Sequence, residues 1–207
     1  MAKHSSRPCP FCGNKADDQE HSSFEDALRF EALGARTIYL YGEVNDTMSR
    51  AVRAQAEAMA RRGKDPVSVV IDSPGGSVVD GLDIVSSIRG LQRAGIEVRA
   101  SVHGEACSMG AVIAAACDTC AIDAHARIMW HGITMMTFGD RADQRAVQKE
   151  NDRMAAALVS ILVARAHNRQ SRLADETVVR EIVDDKRPLY IAANEALEAG
   201  IVDEVLS

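Results

Sequence analysis

Hydrophobic positions along this chain recur with two periods, and each switch between them marks an element boundary. Thr37-Ile-Tyr-Leu-Tyr41 is rich in strand-forming residues and stops at Gly42. Asp46 is then expected to cap a helical run over 47–62, in which Met48, Val52, Ala56 and Met59 share one face. Val67-Ser-Val-Val-Ile71 is β-branched and reads as a buried parallel strand ending at a Pro-Gly-Gly turn. The pattern continues as helix over 79–93, strand over 96–102, helix over 108–116, and short strands at 119–122 and 127–130. Such alternation requires crossover connections, hence an α/β fold with a mainly parallel sheet covered by helices.

Residues 141–167 break the alternation. They predict one long helix, rich in Ala, Arg and Gln, with Val147, Met154, Leu158, Ile161 and Leu162 spaced for burial on one side. A helix this long is hard to fold against a small core, so it is expected to project and pack against another subunit, with an intramolecular cover helix as the alternative. A short helix over 194–200 with a glycine stop and a last strand over 201–205 close the chain.

Composition narrows the function classes. The 207 residues contain no Ser/Gly-rich linker or charge block, so one domain over 24–207 follows a polar, aperiodic tail over 1–23. A net charge of -6 with Lys and Arg interspersed is not the footprint of a nucleic-acid binder. No apolar run is long enough to cross a bilayer and the N-terminus lacks a signal-peptide core, which predicts a cytoplasmic protein without membrane contact. Five cysteines without an export signal point to reduced thiols or metal ligands rather than a disulfide framework. Cys9-Pro-Phe-Cys12 and Cys117-Asp-Thr-Cys120 are each half of a zinc site by spacing, yet coincidence explains them better, and no metal or cofactor is expected. Cys107 reads as a small buried residue.

The chemistry concentrates in Ser73-Pro-Gly-Gly-Ser77, Ala106-Cys-Ser-Met-Gly-Ala111 and Met129-Trp-His131. The first two fall on successive strand-to-helix connections, the edge of a parallel sheet where ligands bind. Taken singly, Ser108 would be a helix N-cap and the Pro-Gly-Gly segment a turn. Taken together, they supply a nucleophilic hydroxyl at a helix start and two backbone donors for an oxyanion, the amides of Met109 and Gly76. His131 ends a strand before a glycine, where a general base for Ser108 belongs; His103 is the competing histidine.

Thr37-Ile-Tyr-Leu-Tyr-Gly-Glu-Val-Asn-Asp-Thr-Met48, Ile71-Asp-Ser-Pro-Gly-Gly-Ser77, Ala106-Cys-Ser-Met-Gly-Ala111 and Asn194-Glu-Ala-Leu-Glu-Ala-Gly-Ile-Val-Asp203 together resemble the proteolytic subunits of the ATP-dependent Clp proteases. The resemblance runs in order from about Ala35 to Val205. It implies a crotonase-like, ClpP-type βαβ spiral with the long helix as a projecting handle between two stacked heptameric rings, a tetradecamer enclosing a chamber. It also implies a serine endopeptidase acting on unfolded polypeptides, with Ser108 as nucleophile, His131 as base, Gly76 and Met109 as oxyanion donors, and Gly75, Gly76, Ser77 and Val78 binding substrate. The third triad member falls on Asp185, which Lys186 follows as an Arg follows the family's Asp; Asp184 is the alternative. The chain has no Gly-x-x-x-x-Gly-Lys-Ser/Thr loop, so ATP dependence would come from a separate Clp-type unfoldase. Two other readings stay open: a catalytically silent ring subunit, and an acyl-CoA hydratase or isomerase of the same fold.

Overall fold

The computed structural model of the chain describes residues 34–133, 140–166, 171–184 and 187–207. The expected tail over 1–23 lies outside the described residues.

Among the described residues, seven strands form one sheet: β1 (Thr37–Tyr41), β2 (Val67–Ser73), β3 (Val98–Cys107), β4 (Thr119–Asp123), β5 (Arg127–Trp130), β6 (Leu189–Ala192) and β7 (Glu204–Leu206). Strands β1-β2-β3-β4-β7 lie side by side and parallel, while β5 pairs parallel with β3 and antiparallel with β6. The connecting helices are α1 (Asp46–Arg62), α2 (Val78–Arg93), α3 (Met109–Ala116), α4 (Arg141–Arg165), α5 (Glu176–Asp184) and α6 (Ala193–Glu198). This is the alternation that the two hydrophobic periods predict.

Four details differ. The cap of α1 is Asn45, whose extended backbone lets Oδ1 accept from the Met48 amide at 3.0 Å. Asp46 instead lies in the first turn and pairs with Arg50. Strand β2 is not buried on both faces: Val67, Val69 and Ile71 face the core, while Ser68 and Asp72 are exposed. In β1 the same alternation buries Ile38 and Leu40 and leaves Tyr39 and Tyr41 outside. Strand β3 runs past the expected end at residue 102 to Cys107, because its second half finds a new partner: Glu105, Ala106 and Cys107 pair with Arg127, Ile128 and Met129. Finally, α5 and β6 were not expected, although Asp175 caps α5 through the Thr177 amide and Val179 and Val183 share its buried face.

Helix α4 has two halves of different character. Residues 141–150 are almost wholly exposed, whereas Leu158, Val159, Leu162 and Arg165 are buried against the body. Asp140 closes a capping box with Asp143, so the exposed end is built to hold its first turn without tertiary support. His167 lies outside the described residues. No helix among the described residues is long and apolar enough to cross a membrane.

Candidate active site

Two adjacent strand ends build the site. After β2, the turn Pro74-Gly75-Gly76 leads into Ser77, whose Oγ accepts from the Asp80 amide at 3.3 Å and caps α2. The segment before α1 holds this turn: the Val44 amide donates to the Gly75 carbonyl at 2.8 Å, and the Ser77 amide donates to the Val44 carbonyl at 2.9 Å. Gly75 and Gly76 have φ of 93° and 148°. A Cβ on Gly75 would stand 2.6 Å from the Ser108 Cβ and 2.7 Å from the Cys107 carbonyl oxygen, and one on Gly76 would stand 2.3 Å from the Val44 carbonyl oxygen. Only glycine lets the two connections approach this closely.

Strand β3 passes into α3 without a loop. Ser108 absorbs the change of direction, with φ 52° and ψ -118°. A residue with a Cβ held there stores about 1–3 kcal/mol of strain. Its surroundings impose the conformation: the Ser108 amide donates to the Met129 carbonyl at 2.8 Å, while the Ser108 carbonyl accepts from the amides of Ala111 and Val112. A sharp strand-to-helix corner of this kind holds the central side chain out from the sheet edge. Ser108 occupies the N-cap position of α3, yet its hydroxyl makes no capping hydrogen bond. The simple capping explanation of this serine therefore fails. Gly76 and Met109 both border the cleft, and neither amide has an acceptor among the described residues.

A cleft of about 460 Å³ opens beside Ser108. Gly76, Ser77 and His131 line it with Ser108, and its remaining surface is largely apolar, from Val78, Met109, Val112 and Trp130 to Met154, Leu158 and Leu162 of α4. Of the four residues expected to bind substrate, Gly76, Ser77 and Val78 border this cleft, while Gly75 lies behind Ser108.

His131 follows β5 and is half-buried, with Nδ1 donating to the Gly132 carbonyl at 2.5 Å. A carbonyl oxygen can only accept, so Nδ1 carries the proton and Nε2 of the neutral ring keeps its lone pair. That is the tautomer a general base needs. Ser108 and His131 share the cleft without a direct hydrogen bond among the described residues; such contacts are commonly loose before substrate binds. The Gly132 carbonyl is a partner of the histidine that motif spacing did not reveal, since backbone groups leave no mark in a sequence.

His103 is elsewhere. It stands on the exposed side of the sheet, where Nδ1 lies 3.2 Å from the Asp123 carboxylate and Nε2 lies 3.3 Å from the Ser101 hydroxyl. It does not border the cleft. Asp185 lies outside the described residues. Asp184 is the last residue of α5 and follows Val183, which lines the cleft.

The cysteines divide in the same way. Cys9 and Cys12 lie outside the described residues. Cys117 and Cys120 are buried thiols that donate to the carbonyls of Ile113 and Ala121. Burial pushes the Cys120 thiol up to about 12 and the Cys117 thiol higher still. Burial and then the Glu105 carboxylate raise Cys107 to about 11. Iodoacetamide at pH 8 is thus expected to leave Cys107, Cys117 and Cys120 unmodified in the folded chain and to alkylate all three after denaturation, as read by peptide mass spectrometry. The sign of the linked stability follows: the unfolded thiols ionise near 9.0 while the folded ones keep their protons, so stability is full below pH 9.0 and declines above it.

Comparison with known proteins is consistent with this geometry. The family model described as Clp protease matches residues 20–207. The ATP-dependent Clp protease proteolytic subunit 3 of Rhodococcus jostii (strain RHA1) is 33% identical over 191 residues, covering 89% of this chain and 88% of that protein.

Proposed function

The chain belongs to the Clp protease family, and on that premise we propose how its serine peptidase chemistry is carried out and supplied with substrate. Ser108 is the nucleophile, His131 the general base, and the amides of Gly76 and Met109 the oxyanion donors. Nε2 of His131 takes the proton of Ser108 Oγ as the oxygen attacks the scissile carbonyl carbon. The carbonyl electrons move onto oxygen, which the two amides stabilise. Collapse of the intermediate expels the amine, protonated from the imidazolium, and leaves an acyl-Ser108 ester. Water, deprotonated by His131, then cleaves the ester and restores the serine.

The observation that carries this reading is the strained Ser108 corner: its hydroxyl makes no capping bond, and it shares a cleft with Gly76 and Met109, whose amides have no acceptor among the described residues. Strain at a side chain that makes no structural bond has no stabilising use in the fold. Asp185, or Asp184 beside it, is the carboxylate proposed to take over Nδ1 from the Gly132 carbonyl; Val183, which precedes them and lines the cleft, supports this placement. An acyl-CoA hydratase or isomerase is not favoured by the family match.

The substrate is an unfolded polypeptide threaded into a chamber of two stacked heptameric rings. The exposed first half of α4 supports a role in contacts between rings. A Clp-type ATPase supplies the unfolding energy, and the cytoplasm is the compartment. A fluorophosphonate probe tests the chemistry: the assembled protein is expected to become labelled at Ser108, and labelling is expected to vanish in Ser108→Ala. Absence of labelling under conditions that label an active relative would favour the silent ring subunit instead.

A further inference from the structure

We propose that Trp130 selects the side chain that enters the cleft, favouring a methionine-like thioether over a hydrocarbon of the same length; the inference rests on the serine-peptidase reading. Trp130 is the last residue of β5, immediately before His131, and it borders the cleft while only 2% exposed. Its indole Nε1 is buried without a hydrogen-bond partner. The other two buried, unpartnered side-chain atoms among the described residues are the carbonyl oxygens of Gln55 and Asn151, so Trp130 holds the orphaned donor.

A buried N–H nearly always has a partner, and an indole N–H can only donate. The free protein leaves this donor unsatisfied beside the place where substrate must go. An incoming acceptor satisfies it. The cleft lining restricts which acceptor, because Met109, Val112, Leu158 and Leu162, which line it with Trp130, are hydrocarbon or thioether. An amide side chain would bring N–H groups that these cannot receive, and a charged one would be desolvated without a partner. A thioether brings a weak acceptor and no donor, and sulfur packs favourably at the edge of an aromatic ring, where the indole N–H sits. The side chain concerned is that of the residue whose carbonyl meets the Gly76 and Met109 amides, on the N-terminal side of the scissile bond.

Trp130 is the single tryptophan of the chain, so its N–H resonance reports on this position alone. The test compares kcat/KM for two peptides identical except for methionine or norleucine before the scissile bond. The assembled wild type is expected to favour methionine about fivefold; Trp130→Phe, which keeps the ring and loses the N–H, about twofold; Trp130→Leu abolishes the preference. In the assembled Ser108→Ala protein, the methionine peptide is expected to shift the indole N–H resonance further than the norleucine peptide. Equal preference in all three proteins, or an indole resonance that does not move when the methionine peptide saturates the site, overturns the proposal. Failure of the peptidase reading looks different: the assembled wild type would cleave neither peptide, while the response of the indole to the two peptides would still decide the role of Trp130.

Discussion

Replacing Ser108 by alanine is expected to lower kcat for peptide hydrolysis by about 10⁴-fold or more, with KM changed only a few-fold. The attacking oxygen is lost, and no neighbouring group replaces it: the adjacent Cys107 thiol is buried and held protonated, with a pKa of about 11. The cleft and the Gly76 and Met109 amides remain, so binding persists, together with the residual catalysis that an oxyanion site supplies without its nucleophile. Single-turnover hydrolysis of a peptide separates the two quantities. Stability should move the other way for Ser108→Gly. Glycine tolerates φ 52° without a Cβ penalty, so this variant is expected to be inactive yet more stable by about 1 kcal/mol in thermal or denaturant unfolding. Opposite signs on activity and stability are what a conformation retained for chemistry produces.

The largest expected effect on stability comes from a residue remote from the chemistry. Arg165→Ala is expected to destabilise the fold by about 3 kcal/mol, measured by urea unfolding. Arg165 ends α4 and is 3% exposed. Its Nε donates to the Ile201 carbonyl at 2.8 Å, Nη1 donates to the Asp118 carbonyl at 2.9 Å, and Nη2 pairs with the Asp203 carboxylate. Asp203 also accepts from the Cys120 amide at 2.7 Å, and Asp118 exchanges two hydrogen bonds with Val98 at the start of β3. One guanidinium thus joins the end of α4, the turn before β4 and the chain before β7. Truncation leaves two carbonyls and a carboxylate without it. The figure is the lower end for breaking a buried pair because the Asp203 side chain is 36% exposed. Arg165→Lys should recover less than half of the loss, since an ammonium cannot present donors in three fixed directions. The cleft should loosen as well, because Leu158 and Leu162 lie on the same end of α4.

Much of the fold was legible because each core strand and helix carries its own period. The failures were of one kind. β3 looked like a strand ending at Val102 because the apolar alternation lapses at His103-Gly104-Glu105, yet β5 provides a second edge that carries the pairing on to Cys107. β6 has four residues and exists by antiparallel pairing to β5, so its local signal is slight. The cap of α1 moved from Asp46 to Asn45 because either side chain can cap, and the extended backbone at Asn45 makes the choice. Arg165 read as one more polar residue on a long helix, and nothing local distinguishes a cation destined for burial.

The same division holds at the site. Two glycine-containing turns, a serine before a helix and a histidine after a strand are local patterns, and local sterics and hydrogen bonding suffice to make them readable in order along the chain. Two other properties arise only when distant segments meet: the strained angles of Ser108 and the orphaned indole of Trp130 in an apolar cleft. Each depends on which groups a side chain finds across space, and pairing across space is decided by packing rather than by neighbours in the chain.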